Sequence, residues 1–147
     1  MSSFSFRGGP VLLLDQKSRL TVPAKYREVL MTSVNGQMVV SKNPDGCLSL
    51  FPLPVWERFE AELKDLPLEH EGWRRLYVGS ATDVEIDSAS RVLIPPELKV
   101  WAGMEKEIKF MGVGATFELW DSARYELREK ELIAAGRPEV VRNIVLK

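Results

Sequence analysis

The chain has 147 residues, 45% of them hydrophobic and 28% charged, with a formal net charge of −1; this is an ordinary globular balance that fits one domain or two small, similar halves. A single cysteine, Cys47, and a single histidine, His70, exclude an internal disulfide and a Cys/His zinc site, so no metal is expected. A sequence pI of about 5.9 argues against a uniformly basic nucleic-acid binder, yet within residues 1–30 Arg7, Lys17, Arg19, Lys25 and Arg27 outnumber Asp15 and Glu28 by three.

The N-terminal segment has no apolar run of signal-peptide length, and the longest apolar stretches are only four or five residues. A soluble, cytoplasmic chain with no membrane contact is therefore expected. Residues 11–14 read as a strand that ends at Asp15, and a tight turn follows. A second apolar run covers residues 19–22, and Pro23 opens a helix over residues 23–30. Residues 38–40 and 47–51 flank Asn43-Pro44-Asp45-Gly46, a strong hairpin signal. Val55, Trp56, Phe59, Leu63 and Leu66 fall at helical spacing between Pro54 and Pro67. Residues 68–79, with Trp73, Leu76 and Tyr77, read as a joining helix.

The same series then returns. A strand over residues 84–86 ends at Asp87; a turn, a strand over 91–94 and a helix over 95–102 follow, the helix stopping at Gly103. Residues 107–111 and 116–120 form a hairpin about Gly112-Val113-Gly114. Asp121 or Ser122 caps a helix that carries Tyr125, Leu127 and Leu132 and ends at Gly136. The tail, residues 139–147, alternates weakly and is compatible with packing, swapping or fraying. The domain reading is a first unit over 1–66, a connecting helix and linker over 67–82, a second unit over 83–135 and a tail over 136–147.

The repeat is carried by Asp15-x-x-Ser18-Arg19-Leu20-Thr21-Val22-Pro23, which returns 72 residues later as Asp87-x-x-Ser90-Arg91-Val92-Leu93-Ile94-Pro95. An aspartate at a strand end accepts hydrogen bonds from loop N–H groups and fixes the loop. An arginine four residues on either pairs with it or points out from the tip, where its planar fork suits phosphate or a guanine edge. Lys17 adds a point charge at the first tip. For a single instance, a structural salt bridge is the simpler reading; two instances before an apolar run and proline are specific to an architecture.

Further matching segments are Phe6-Arg7-Gly8, Lys25-Tyr26-Arg27, Asp45-Gly46-Cys47-Leu48-x-Leu50-Phe51-Pro52, Gly79-Ser80-Ala81-Thr82-Asp83-Val84-Glu85-Ile86-Asp87 and Gly112-Val113-Gly114-x-x-Phe117-Glu118-Leu119-Trp120-Asp121. With the repeat, this set resembles the MraZ family of bacterial transcription regulators, duplicated members of the AbrB-like superfamily. The resemblance implies an α+β fold, mainly β with short helices, in which two tandem AbrB-like (SpoVT-type) swapped-hairpin units form a pseudo-twofold, β-barrel-like core. It also implies a ring-shaped homo-oligomer, nucleoid-associated, that binds short direct repeats of double-stranded promoter DNA and usually represses its own division and cell-wall operon. The family's motif arginine maps onto Arg19 and Arg91. The candidate DNA-binding residues are thus Arg19, Lys17, Asp15, Arg7, Lys25, Arg27, Arg91 and Asp87, with no cofactor and no small-molecule substrate. Multivalency in a ring answers the neutral pI, because linked copies raise avidity by ~10²–10⁴.

Two departures stand out. Ser18 and Ser90 occupy a position where the family usually has glycine. If that position needs a positive φ, serine costs roughly 1 kcal/mol there; otherwise the loop adopts another turn and aims its arginine differently. Apolar residues 11–14 also replace the family's usual polar ones. In residues 83–101, Asp83, Glu85, Asp87 and Glu97 outnumber Arg91 and Lys99 by two. The expectation is that the basic first unit faces DNA while the second builds the fold and the ring.

No catalytic constellation is found, so no enzyme is expected. A pair of aspartates invites comparison with an aspartic-protease dyad, but Asp15-Gln16 and Asp87-Ser88 lack the Asp-Thr-Gly context. Gly79-Ser80 is too common a dipeptide to mark self-cleavage. His70 lies in a charged stretch, and Cys47 beside Leu48 reads as core. Gly112-x-Gly114 lies in a hairpin rather than at a helix start, unlike a phosphate loop. The aromatic residues read as core or ring contacts. The rival class is an AbrB-like antitoxin or protein-interaction module that uses the C-terminal tail.

Overall fold

The computed structural model describes residues 4–144; the first three residues of the first unit and the last three of the tail lie outside them. The first half runs β1 (Phe6–Gly8), β2 (Val11–Leu13), β3 (Arg19–Thr21), α1 (Ala24–Val34), β4 (Gln37–Asn43), β5 (Cys47–Pro52) and α2 (Leu53–Lys64). A 3-10 turn (Leu68–His70) and α3 (Glu71–Ser80) join it to β6 (Thr82–Glu85), β7 (Arg91–Leu93), α4 (Pro96–Trp101), β8 (Glu107–Gly114), β9 (Phe117–Asp121), α5 (Ser122–Ala135) and α6 (Glu139–Arg142).

Local chemistry sets most boundaries. Pro23 stands extended at the head of α1. That helix runs past the expected residue 30 because its stop signal is the pair Asn35-Gly36. Asn35 adopts the left-handed conformation (φ 54°), and the Gly36 N–H closes on the Leu30 carbonyl at 3.1 Å. Asp121 is the cap of α5, its carboxylate accepting from the Arg124 N–H, and Gly136 (φ 79°) ends the helix. Among the described residues of the tail, Glu139–Arg142 form the short helix α6. Strand β1 is too short to leave an alternation, and Gly8-Gly9-Pro10 beside it reads as a turn. That turn lets both β1 and β2 pair with β8. A Cβ on Gly9 would sit 1.8 Å from the Phe110 carbonyl oxygen, so only glycine fits.

The strands are exchanged between the halves. β2 does not pair within its own half: Val11 lies opposite Lys109 and Leu13 opposite Glu107 on β8. Reciprocally, β6 pairs with β4, with Asp83 opposite Val39. The two hairpins, β4–β5 and β8–β9, meet along β5 and β9, where Ser49 faces Glu118. β3 and β7 form a separate two-stranded ribbon centred on Leu20 opposite Val92. Both central pairings map onto themselves when the halves are interchanged, which gives the fold its pseudo-twofold axis. The large sheet runs β1-β8-β9-β5-β4-β6, with β2 also on β8. It is an open path among the described residues, so hydrogen bonding does not close the expected barrel.

The core lies where the two halves meet. Leu20, Leu30, Val92, Ile108, Phe110, Phe117 and Leu119 are fully buried in one cluster, with Tyr26 and Phe6 against them. In a second cluster Val55 and Trp56 of α2 pack with Val39 and Phe51, with Tyr77 of α3 at its edge. Cys47 is fully buried, as its sequence context indicated, and burial pushes its thiol far above the ordinary range. Leu20→Ala should cost about 2–5 kcal/mol in denaturant unfolding, because the side chain lies on the pseudo-axis and the cavity opens between both halves; a loss under 1 kcal/mol would contradict this placement.

Candidate nucleic-acid interface

The two Asp-x-x-x-Arg loops have one geometry. In the first, one Asp15 carboxylate oxygen accepts from the N–H groups of Lys17 (2.8 Å) and Arg19 (2.9 Å), and the other accepts from Arg19 Nε at 2.7 Å. In the second, Asp87 accepts from Ala89 N–H (2.9 Å), Arg91 N–H (2.8 Å) and Arg91 Nε (3.1 Å). The backbone closes both loops in the same way, Ser18 N–H to the Asp15 carbonyl and Ser90 N–H to that of Asp87. The N–H of Arg19 is the main cause that holds the Asp15 carboxyl below the ordinary carboxylate range, and that of Arg91 does the same for Asp87; slight desolvation works against both.

The serine question is settled by the backbone. Ser18 (φ 61°) and Ser90 (φ 68°) both stand in the left-handed region. The loops keep the turn that glycine would favour, and the serines bear its strain. Their carbonyls hold the two loops to the opposite strands: Ile94 N–H donates to Ser18 at 2.9 Å, and Val22 N–H donates to Ser90 at 2.8 Å.

The register of the ribbon decides what the arginines can do. Arg19 pairs with Leu93, and Thr21 with Arg91. Alternation sends Leu20 and Val92 into the core, so Arg19, Thr21, Arg91 and Leu93 share the outer face. The two arginines are diagonal neighbours there, about 7–8 Å apart at the backbone. Their side chains are 29% and 32% exposed. Each guanidinium meets its aspartate through Nε, and among the described residues the Nη groups make no other hydrogen bond. Two forks are thus held rigidly side by side, at reduced entropic cost for an approaching acceptor. Thr21 and Leu93 (52% exposed) complete the face. They could have been read from the alternation once Leu20 was assigned inward.

The remaining candidates surround this face. Lys17 is exposed at the first loop tip. Arg7 is exposed on β1, and its carbonyl accepts from Lys25 Nζ at 3.1 Å and from the Tyr26 hydroxyl at 2.6 Å. Arg27 is only partly exposed, and its Nε is buried without a hydrogen-bond partner. Its counterpart in the second half, Lys99, donates to Ser18 Oγ at 3.3 Å. The basic residues of the first unit are not gathered at one end of the ribbon. Because the strands are exchanged, each loop lies against the helix of the other half, and the basic residues of the first unit are distributed over both ends of the ribbon.

The fold and these loops define a duplicated, strand-exchanged α+β protein with a paired-arginine ribbon. The model of the MraZ protein family, whose description adds the words antitoxin-like, matches residues 6–79 and again 77–146. The proteins named transcriptional regulator MraZ from Burkholderia cenocepacia and Burkholderia lata are each 48% identical to the chain over 138 residues, 94% of this chain and 97% of theirs. A third, from Burkholderia vietnamiensis, matches at the same identity and coverage. The chain belongs to the MraZ family.

Two outcomes follow from the loop geometry. Ser90→Gly should stabilise the fold by up to about 1 kcal/mol, the relieved strain less the added freedom of the unfolded chain. Ser18→Gly should gain less because it removes the Lys99 contact; denaturant unfolding measures both. In an NMR titration, Asp15 and Asp87 should protonate below the ordinary carboxylate range. The sign is that of a depressed group: the contribution of each loop to stability is full above the unfolded carboxylate pKa and is lost as pH falls through the lowered folded value.

Proposed function

We propose that the chain is a transcription regulator that binds double-stranded DNA through the outer face of the β3–β7 ribbon. The observation that carries this reading is the shared exposed face of Arg19 and Arg91, each held by an aspartate through Nε with its Nη groups available. A two-stranded β-ribbon fits the major groove of B-DNA, where an arginine fork matches the O6 and N7 atoms of guanine. Asp15 and Asp87 position the forks, and Lys17, Arg7, Lys25 and Arg27 supply charge toward phosphate. Both arginines take part, since the two loops have the same geometry.

The family resemblance extends the proposal to a cytoplasmic, nucleoid-associated homo-oligomer, probed most simply as a ring on direct repeats upstream of the chain's own division and cell-wall operon, where it acts as a repressor. Repetition of a weak ribbon contact in such a ring compensates for a net charge of −1. The relatives' names support transcription regulation.

A second reading is favoured by one observation. Leu132 and Ile133 on α5, Val140 on α6 and Ile144 beyond it are all about 70% exposed, an apolar surface outside the body of the fold. An antitoxin-like interaction module would dock a protein there. A salt titration separates the two. DNA binding in a mobility-shift assay on the chain's own upstream region should fall steeply between 50 and 200 mM salt as counterions are no longer released; a salt-insensitive protein complex without a DNA complex favours the second reading. Arg19→Ala and Arg91→Ala should each weaken DNA binding by about 1–3 kcal/mol, and Lys17→Ala should lower the salt slope by about one without changing sequence preference. Full affinity in both well-folded arginine variants would refute the ribbon as the reader.

A further inference from the structure

A duplex has local twofold axes, so a reader with twofold symmetry fits it equally well in two directions. The ribbon is such a reader. Its register is centred on Leu20 and Val92, its loops are superposable in their hydrogen bonds, and the two cross-loop bonds at Ser18 and Ser90 are reciprocal. Seen through its two arginines alone, the chain has no head and no tail.

The two ends of the ribbon are nevertheless unlike. At one end, loop 15–19 lies against the start of α4, tied by Ile94 N–H to the Ser18 carbonyl and Lys99 Nζ to Ser18 Oγ. This end carries exposed Lys17, but exposed Glu97 stands in the first turn of α4, where it offsets the positive end of that helix. At the other end, loop 87–91 lies against the start of α1 through Val22 N–H and the Ser90 carbonyl. Here Lys25 occupies the position equivalent to Glu97, and α1 has no acidic residue in its first turn. Arg7 is added to the same end by the bonds from Lys25 Nζ and the Tyr26 hydroxyl to its carbonyl. β1, which carries Arg7, occupies a segment whose equivalent in the second half is the end of α3. The contrast is therefore Arg7 and Lys25 beside an uncompensated helix start, against Lys17 and Lys99 beside Glu97.

We propose that this difference gives the chain one direction on duplex DNA: phosphate is held more strongly at the α1–Arg7 end than at the end where Glu97 opposes Lys17. The inference rests on the ribbon being the DNA reader. It makes Glu97 and Lys25 the residues that orient the chain, while the arginines supply affinity and base preference.

The test uses the full chain with Ala89→Cys, which provides an exposed thiol at one loop tip while Cys47 stays buried. An iron–EDTA cleavage reagent is attached there, and the chain is bound to its own upstream DNA. Cleavage should fall on one flank of each bound site. Glu97 forms no hydrogen bond or ion pair among the described residues, so Glu97→Lys in the same background should leave the fold intact. It should raise the salt slope by about one and bring cleavage to both flanks in comparable amount. Cleavage that stays on one flank in the Glu97→Lys variant overturns the inference and transfers the choice of direction to Thr21 and Leu93, the unlike pair on the ribbon face. Cleavage on both flanks in the parent also overturns it. Absence of any complex with the parent refutes the DNA reading itself, and this inference with it.

Discussion

Neither half of this chain can satisfy its own backbone. The strand that leads into the aspartate loop of each half finds its hydrogen-bond partners only on the other half, β2 on β8 and β6 on β4. Buried N–H and C=O groups must be paired, so separating the halves would strand both edges as well as open the core around Leu20 and Val92. The reciprocal pairing forces the symmetry of the fold, and the symmetry brings the two loops to opposite ends of one short ribbon. The arrangement of the arginines is a by-product of how the sheets are completed.

The loops show how a functional geometry is held without a large core beneath it. A single carboxylate in each gathers two N–H groups and an arginine Nε. The turn this requires has a positive φ at its fourth residue, and the chain meets that requirement with serine rather than glycine. Local strain is concentrated at the two residues whose carbonyls lock each loop to the opposite strand. Strain of this kind persists only where the surroundings over-determine the conformation, and here the ladder of the ribbon does so.

Much of this was legible in the sequence. The repeat, both hairpins, the aspartate-led loops and the cap at Asp121 leave local signals in spacing and turn chemistry. The positive φ was legible only as a conditional, because serine does not announce the conformation that glycine would. The length of α1 was misread by four residues, since Asn35-Gly36 is a firmer stop than the end of the apolar run. β1 was missed because three residues beside Gly-Gly-Pro carry no alternation. Strand partners were accessible only through family resemblance: alternation says which side of a strand is buried, and nothing about which strand lies next to it. Where the basic residues lie in space is hidden from the sequence for the same reason. Charge was counted along the chain, whereas the exchange deals it out across two ends in space.

The exchange also has a consequence in time. Val11 pairs with Lys109, almost a hundred residues later in the chain. At synthesis rates of about 5–20 residues per second, β2 emerges several seconds before its partner strand exists. During that interval the apolar segment Val11-Leu12-Leu13-Leu14 is an open edge, the kind of segment that pairs with whatever strand is nearest. On a polysome, the nearest strand belongs to another nascent copy of the same chain. The pairing that makes the finished molecule a single cooperative unit thus leaves it most exposed to its own neighbours while it is being made.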